Sequence, residues 1–332
     1  MTRCAVLGAG SWGTTLADLL ARQGHDVVIW AYEEEVVSQI NAEHVNRLFL
    51  PGAELAETLQ ATGDAPTAVQ GAHLVVSASP SHAVRSVLST VAGRLEPRAT
   101  IVSATKGLET GTLLRMSEVA RALIAEHPFV VLSGPSFATE VFARQPTAVV
   151  CASQDEVSAR RVQDAFSSPR FRVYSNTDVV GTEVAGALKN VIAIAAGILE
   201  GLGLGYNPLA ALLTRGLAEI SRLGVALGAN PLTFMGLAGM GDLVLTATGK
   251  LSRNRSLGVA LGQGQRLDQY LQSQRTVAEG VNATEAALKL AERVSVEMPI
   301  TAKVGEILFQ NSDPQQAIMD LMERSPKPER QP

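Results

Sequence analysis

The feature that most constrains the fold of this chain is a Gly-x-Gly-x-x-Gly turn formed by Gly8, Gly10 and Gly13. An apolar run precedes the turn, a helical pattern follows it, and a second apolar run, Val27–Trp30, completes the unit within about 30 residues. In such a unit the first glycine makes the tight turn, the second lets the backbone approach a pyrophosphate, and the third lets the helix pack against the strand. A helix that begins near Ser11 would direct its positive N-terminus at that pyrophosphate. The sequence therefore predicts a dinucleotide-binding turn in an α/β sheet.

The residues after the second predicted strand bear on the type of dinucleotide. Tyr32 and Glu33 stand there, followed by two more glutamates and no arginine. An acidic side chain at this place accepts a hydrogen bond from the ribose 2′-hydroxyl of NAD, whereas the 2′-phosphate of NADP calls for an arginine. We therefore expect Tyr32 and Glu33 to lie beside the adenosine and NAD(H) to be favoured. Alternatively, the glutamates form the first turn of the next helix, where negative charge suits the helix dipole.

Apolar runs along the rest of the first half predict a doubly wound, Rossmann-type parallel sheet over residues 1–178. The predicted strands are 72–78, 100–104 and 129–132, with 147–151 and 171–174 as extensions of the sheet. After Asp178 the pattern changes to long apolar helices, which predict an all-α substrate-binding domain over residues 179–324. The tail 325–332 is rich in proline and charge, and we expect it to be disordered.

Composition and charge narrow the class of function. The 332 residues are 46% hydrophobic and 18% charged, so the chain can bury large cores, and its net charge of −4 disfavours nucleic-acid binding. The amino terminus enters a strand directly, and no charge-free apolar stretch is long enough to cross a bilayer. Two cysteines in apolar runs fit a reducing compartment, and the five scattered histidines suggest no metal site. We expect a cytoplasmic enzyme without membrane insertion.

Lys189 is the most unusual polar residue of the second half. It lies with Asn190 in an otherwise small and apolar stretch, Val184–Leu199. Burial would lower the pKa of this lysine, and a neutral lysine can take a proton from a substrate hydroxyl. Alternatively, the side chain extends along the helix and places its ammonium at the edge, in water.

Two later segments are typical of a site for a small anion. A glycine-rich turn ends in Asp242, whose carboxylate could anchor Lys189 or bind substrate hydroxyls. The stretch 249–256 clusters three cations and several hydrogen-bond donors just before a predicted helix at Ser256, which suits a phosphate or a carboxylate. Its alternative interpretation is a solvated basic loop.

Taken together, these motifs resemble the bacterial type of NAD(P)-dependent glycerol-3-phosphate dehydrogenase, in family order over nearly the whole chain. The matching segments are Gly8–Gly13, Pro80–His82, Ala104–Glu109, Leu132–Ala138, Gly186–Val191, Gly239–Leu243, Ser252–Arg255 and Glu279–Gly280. The resemblance implies a Rossmann-type domain followed by a 6-phosphogluconate-dehydrogenase-like helical domain. It also implies reversible hydride transfer between NAD(P)H and dihydroxyacetone phosphate, which gives glycerol 3-phosphate for phospholipid synthesis.

The resemblance assigns roles to the matching positions. Lys189 corresponds to the general acid and base. The positions that correspond to substrate contacts are Lys106, Gly134, Ser136, Lys189, Asp242, Ser252, Arg253 and Asn254. Those that correspond to dinucleotide contacts are Ser11, Trp12, Lys106, Ala138, Arg253, Val277 and Glu279. The glycine turn adds Gly8, Gly10 and Gly13 to the predicted dinucleotide site, and the end of the second predicted strand adds Tyr32 and Glu33.

Two other functions stay open from the residues alone. One is a hydroxy-acid dehydrogenase of the same two-domain plan, and the other is a dinucleotide sensor without turnover. The placement of Ser252, Arg253 and Asn254 favours a phosphate substrate over a hydroxy acid. The apolar surplus of the helical half suggests a homodimer, because hydrophobic helices must be covered.

Overall fold

The computed structural model describes residues 1–272, 279–326 and 328–329. Ten strands lie between Arg3 and Asn176: β1 (Arg3–Leu7), β2 (Asp26–Trp30), β3 (Val45–Asn46), β4 (Leu50–Glu54), β5 (Gln60–Thr62), β6 (Leu74–Ser77), β7 (Thr100–Ser103), β8 (Phe129–Ser133), β9 (Thr147–Ala152) and β10 (Phe171–Asn176). Seven helices accompany them: α1 (Ser11–Arg22), α2 (Glu34–Glu43), α3 (Ala65–Val69), α4 (Val84–Val91), α5 (Met116–Ile124), α6 (Ala138–Phe142) and α7 (Glu156–Phe166).

Helices alone form the regular structure described beyond Asn176. They are α8 (Val179–Gly201), α9 (Tyr206–Ala226), α10 (Asp242–Thr248), α11 (Arg253–Gly262), α12 (Leu267–Gln272), α13 (Glu279–Arg293), α14 (Pro299–Gln310) and α15 (Pro314–Met322). A 3-10 turn, Pro231–Met235, and a π-helical turn, Leu237–Gly241, lead into α10. We call these elements the helical half and the part before α8 the sheet half. The predicted fold class is confirmed, and the division at residue 178 as a domain boundary stays a prediction.

The main sheet has eight strands in the order β5-β2-β1-β6-β7-β8-β9-β10. All neighbouring pairs run parallel except β8 and β9, which pair antiparallel. Apolar side chains cover both faces of the sheet, as a parallel sheet between helices requires. The carboxyl ends of β1, β6, β7 and β8 therefore meet at one edge, and the strand order reverses between β1 and β6. Ligands of open α/β sheets bind at such an edge.

Several boundaries differ from the sequence-based ones. The short strands β3, β4 and β5 and the helices α10 and α12 were not predicted, because none carries a long periodic pattern. The structure corrects the start of α11 from Ser256 to Arg253. The Ser252 hydroxyl accepts a hydrogen bond from the Arg255 N–H at 3.2 Å and so caps the helix three residues earlier.

Helix α8 forms the centre of the helical half and packs against α9, α10, α11, α13 and α14. It is long and apolar enough to cross a membrane, but 89% of its most apolar window is buried inside the protein, as in a core helix. Its crossing with α11 is unusually close. A Cβ on Gly197 would lie 2.0 Å from the Arg255 carbonyl oxygen, and one on Gly258 would lie 2.0 Å from that of Ile194. Glycine at both positions thus brings the start of α11 against the middle of α8.

Three hydrogen bonds to one buried carboxylate join the sheet half to α8. The Arg115 guanidinium donates to the Glu183 carboxylate at 2.9 Å, and the Ser117 N–H and hydroxyl donate to the same carboxylate at 2.7 and 2.6 Å. Burial raises the pKa of the Glu183 carboxyl, while Arg115 and Ser117 oppose that rise. These contacts hold the start of α8 against the start of α5, which follows the loop after β7.

Candidate functional site

The glycine turn after β1 has the geometry that a pyrophosphate site requires. Gly8 has φ +119°, in the region that favours glycine, and a Cβ on Gly13 would lie only 1.9 Å from the Gly8 carbonyl oxygen. A Cβ on Gly10 would meet nothing within 4 Å, so the space in front of the α1 N-terminus is open. Because α1 has twelve residues, its dipole and free N–H groups favour an anion in that space. The turn fits a dinucleotide.

A hairpin of β3 and β4 packs on this turn. The Asn46 amide donates to the Ala9 carbonyl and to the Thr14 hydroxyl, both at 2.9 Å, and the Ser11 hydroxyl donates to the Phe49 carbonyl. Because the Ser11 hydroxyl is already hydrogen-bonded to Phe49, the group that Ser11 can offer to a bound pyrophosphate is its backbone N–H. No clear pattern in the sequence predicts this hairpin, because its two strands have only two and five residues.

Other predicted dinucleotide contacts surround the turn. Trp12 packs against the core of the sheet half, and its indole N–H is buried without an acceptor among the described residues. Ala138 begins α6, and its carbonyl accepts a hydrogen bond from Thr15 of α1 at 3.3 Å. The start of α6 therefore lies beside α1, while Val277 falls outside the described residues.

The glutamates after β2 form the start of the next helix, which is the alternative interpretation of this segment. Glu33 is the N-cap residue of α2, and Glu34 and Glu35 form its first turn. Tyr32 is 84% exposed at the end of β2. Tyr32 and Glu33 thus lie at the carboxyl end of β2, and their contact with an adenosine ribose stays a prediction.

Two lysines share one buried carboxylate at the junction of the two halves. Lys106, in the loop after β7, donates to Asp242 Oδ2 at 2.7 Å, and Lys189, in the middle of α8, lies 2.9 Å from Asp242 Oδ1. Asp242 is 1% exposed at the start of α10. Three segments far apart in the sequence therefore form one charged cluster.

Thr246 completes this cluster and was not among the predicted site residues. Its hydroxyl accepts a hydrogen bond from Lys189 Nζ at 2.6 Å and donates to the Asp242 carbonyl at 2.7 Å. Thr246 follows Asp242 by four residues, so the two side chains share one face of α10. The four-residue spacing of Asp242 and Thr246 was a signal in the sequence. It identifies Thr246 as a site residue only when α10 is known to pack against α8.

The surroundings of Lys189 change its protonation. Burial lowers the pKa of its amine from 10.5 to about 8, the Asp242 carboxylate opposes that change, and the Lys106 ammonium adds to it. The Glu279 carboxylate, at the start of α13, also favours the charged form of Lys189. A pKa of about 8 lets this lysine exist in both protonation states near neutral pH.

The segments around Lys106 are held by further contacts. Lys106 Nζ donates to the Gly134 carbonyl at 2.9 Å, and the Ser136 hydroxyl donates to the same oxygen at 3.1 Å. Gly134 has φ +131°, and a Cβ there would lie 3.0 Å from the Val149 Cα. The loop that carries Lys106 continues to Glu109, which binds Arg85 through two hydrogen bonds of 2.7 and 2.8 Å.

The predicted phosphate-binding residues occupy the first turn of α11. Ser252 is the N-cap residue, Arg253 is exposed, and the Asn254 side chain is buried. The backbone N–H groups of a first helical turn have no acceptor within the helix, so Arg253 and Asn254 can offer theirs to an anion. Both atoms of the Asn254 amide are already occupied, by Asn190 and by Gly280.

Among the described residues, no group of three or more histidine, cysteine, aspartate or glutamate side chains is arranged to hold a metal ion. Both cysteines, Cys4 and Cys151, are buried in the sheet, and burial raises their thiol pKa values to about 12 and about 11. The chemistry that the cluster of Lys189, Lys106, Asp242 and Thr246 can support is proton transfer to and from an oxygen of a bound anion.

Comparison with known proteins gives matches over the whole length of the chain. The N-terminal model of NAD-dependent glycerol-3-phosphate dehydrogenase matches residues 3–159, and the C-terminal model matches residues 178–319. Curated NAD(P)+ glycerol-3-phosphate dehydrogenases of Geobacter metallireducens and Geobacter sulfurreducens are 55% and 56% identical over 331 residues, with 99% of each chain covered. The crystal structure of glycerol-3-phosphate dehydrogenase from Coxiella burnetii has a TM-score of 0.93 at 42% identity and covers 97% of this chain and 99% of its own.

Proposed function

The chain belongs to the NAD-dependent glycerol-3-phosphate dehydrogenase family, and from that premise we propose that it interconverts dihydroxyacetone phosphate and sn-glycerol 3-phosphate, with Lys189 as the general acid and base. The observation that carries the role of Lys189 is its buried contact with Asp242 and Thr246, together with its lowered pKa. A dinucleotide held at the turn of Gly8, Gly10 and Gly13 would supply the hydride-transfer chemistry.

The number of hydrogen bonds around Lys189 suits this role. An ammonium has three N–H donors, of which Asp242 and Thr246 take two, so one remains for the ketone oxygen of the substrate. In the neutral amine the same two partners take both N–H groups, and the lone pair faces the substrate hydroxyl. Lys189 can therefore donate or accept the substrate proton without moving away from Asp242 and Thr246.

Lys106 and the start of α11 would bind the rest of the substrate. Lys106 Nζ uses two of its donors on Asp242 and Gly134, which leaves one for a substrate oxygen. Arg253 and the first-turn N–H groups of α11 would bind the phosphate, with the helix dipole in their favour. Binding at the phosphate would position the reacting carbon at Lys189. Ser136 and Gly134 would lie beside Lys106 in the same substrate site.

We also propose that the chain acts as a homodimer in the cytoplasm. Support for the dimer comes from exposed large side chains of the helical half: Tyr206 at 89%, Leu232 at 70% and Met235 at 74% exposure. A dimer would cover part of this apolar surface. Sedimentation at micromolar concentration should give the mass of two chains, and the mass of one chain would rule the dimer out.

The test of the function is the loss of reduced-nicotinamide absorbance when the protein is mixed with dihydroxyacetone phosphate, in parallel with NADH and NADPH. We expect turnover, with NADH the better cofactor, because Tyr32 and Glu33 stand where the 2′-phosphate of NADP would call for an arginine. Glyoxylate and other 2-keto acids serve as the control substrates, because a hydroxy-acid dehydrogenase would reduce them. Absence of turnover with either cofactor, in protein that still binds NADH, would overturn the proposed function in favour of a sensor.

The pH dependence should follow Lys189. Reduction of the ketone needs the ammonium form, so its kcat should fall as the pH rises through about 8. Oxidation of glycerol 3-phosphate needs the neutral amine, so its kcat should rise through the same pH range. Stopped-flow measurement of the hydride step from pH 6 to pH 10, in both directions, checks this. Two profiles that move in the same direction would contradict the role of Lys189.

A further inference from the structure

Glu183, near the start of α8, is a buried carboxylate that the proposed proton transfer does not use. One of its oxygens accepts hydrogen bonds from the Arg115 guanidinium at 2.9 Å and the Ser117 hydroxyl at 2.6 Å. The other oxygen accepts from the Ser117 N–H at 2.7 Å. All three donors stand at the start of α5, in the sheet half. Both carboxylate oxygens of this α8 residue are therefore bound by the sheet half.

Arg115 closes the loop that begins with Lys106. Leu108 and Arg115 pair in an antiparallel bridge, and the Glu109 N–H donates to the Leu114 carbonyl at 2.9 Å. Leu108 also packs in the apolar core of the helical half. The loop therefore doubles back on itself, and a displacement of Arg115 would be transmitted to Leu108, two residues from Lys106.

Helix α8 contacts this loop at a second point. A Cβ on Gly186 would lie 3.8 Å from Lys106 Cγ and 2.9 Å from the Ser133 hydroxyl oxygen, so α8 passes directly beside the Lys106 side chain. Glu183 and Gly186 are three residues apart and share one side of the helix. Lys189 follows after three more residues, about 9 Å along the axis from Glu183. One short stretch of α8 thus holds the end of the loop, borders Lys106 and carries Lys189.

We propose that Glu183 is a positioning residue for the proton transfer. By holding Arg115 on α8, it fixes the loop so that Lys106 reaches Asp242. Lys189 binds the other oxygen of the same carboxylate. A buried ion pair adds little net stability compared with well-packed apolar side chains, so directional hydrogen bonds that fix one geometry are the more direct use of it. This inference rests on the proposed function, because turnover measures whether Lys106 is in place.

Glu183→Gln tests this role with almost no change in volume. A glutamine cannot accept from all three donors, because its NH2 replaces one oxygen and faces either Arg115 or the Ser117 N–H. With the loop released, Lys106 should lose its fixed distance to the substrate. We expect kcat/KM for dihydroxyacetone phosphate to fall about 10- to 100-fold, because a displacement of about 1 Å can cost a rate factor of this size.

The pH profile separates positioning from a general loss of activity. The Lys106 ammonium lowers the pKa of Lys189, whereas the carboxylates of Asp242 and Glu279 raise it. When Lys106 moves away, the pKa of Lys189 should rise. Oxidation of glycerol 3-phosphate should then reach half its maximal rate at a higher pH than in the parent. A fall in kcat/KM with the parental profile would overturn the positioning role.

Glu219→Gln is the matched control. Glu219 is also a buried carboxylate, 1% exposed, and it accepts from the Ile300 N–H at 2.5 Å and from the Thr301 N–H and hydroxyl at 3.2 and 3.0 Å. Burial raises the pKa of this carboxyl, as it does for Glu183. Because Glu219 joins α9 to α14 and does not touch the loop, its substitution should lower stability and leave kcat/KM and the pH profile parental. An equal shift of the profile in both variants would indicate general destabilisation and refute the role of Glu183.

A double-mutant cycle tests whether the effect passes through Lys106. If it does, Glu183→Gln should cause little further loss in the Lys106→Ala background, measured as the single-turnover rate of hydride transfer. Losses that multiply would mean that Glu183 acts independently of Lys106, contrary to the proposal.

Two further results keep the proposals separable. Absence of turnover by the parent protein would overturn the proposed function, whereas turnover by the parent with an unchanged Glu183→Gln variant would overturn the positioning role alone. Should Glu183→Gln not fold, Ser117→Ala removes one hydroxyl donor and no charge. It should give a smaller loss of kcat/KM and a pH profile shifted upward, and a parental profile would contradict the role of Glu183.

Discussion

Replacement of Lys189 by alanine should lower kcat for dihydroxyacetone phosphate reduction by about 10²- to 10⁴-fold, the usual contribution of a positioned acid or base. Lys189 is the buried amine whose third hydrogen bond stays available after Asp242 and Thr246 have taken two. NADH affinity should change little, because the pyrophosphate would be bound at the glycine turn and the start of α1. Stopped-flow kinetics and fluorescence titration measure the two quantities on the same preparation.

Lys289→Ala is the matched control for this substitution. Lys289 lies exposed on α13 and pairs with Glu285 at 2.6 Å, so the same change in side chain should leave kcat within about two-fold. If Lys189→Ala retained kcat, another group would have to transfer the proton. If it abolished NADH binding as well, Lys189 would be part of the cofactor site, and its assignment as the acid and base would be wrong.

Replacement of Asp242 by asparagine should have the second large effect, on stability as well as on rate. An asparagine oxygen can accept from one lysine, but its NH2 then faces the other ammonium. Because breaking a buried ion pair costs about 3–5 kcal/mol, we expect a loss of this order in the free energy of unfolding. Urea denaturation of both proteins gives the difference.

The same substitution should also move the pH profile. The Asp242 carboxylate raises the pKa of Lys189, so its removal should lower that pKa further below its ordinary value. The pH at which glycerol 3-phosphate oxidation reaches half its maximum should therefore fall below that of the parent. Asp320→Asn is the control, because Asp320 also pairs with a lysine, Lys303, at 2.8 Å, but near the surface and outside the site. A variant of Asp242 with parental stability and an unmoved profile would contradict the shared-carboxylate arrangement.

The local elements were predictable where one segment carries its own signal. The glycine turn, with β1, α1 and β2, follows from glycines at fixed spacing between an apolar strand and an apolar helix. The strands at 74–77, 100–103 and 129–133 follow from continuous apolar runs, which are typical of a sheet covered on both faces. The long apolar pattern around Lys189 similarly predicts α8 as a buried helix.

Short secondary-structure elements without a periodic sequence pattern were not predictable. Asn46 belongs to a two-residue strand, and its role became visible only through its bonds to Ala9 and Thr14. Helix α10 has seven residues and follows a π-helical turn, too short for a periodic signal. The predicted start of α11 at Ser256 is three residues late, because Ser252 provides the cap and the helix begins at Arg253.

The sequence by itself determined the Rossmann-type sheet, the change to helices after Asp178, the family, and Lys189 as an anomalous polar residue in an apolar helix. Only the tertiary structure decided what Lys189 does there. Lys106, Lys189 and Asp242 are separated by 83 and 53 residues, and no local pattern relates them. Their contact depends on where β7 ends, on how α8 packs against α10, and on the glycines that let α11 approach α8. Because pKa values and hydrogen-bond orientation are set by neighbours in space, the chemistry of the site follows from packing.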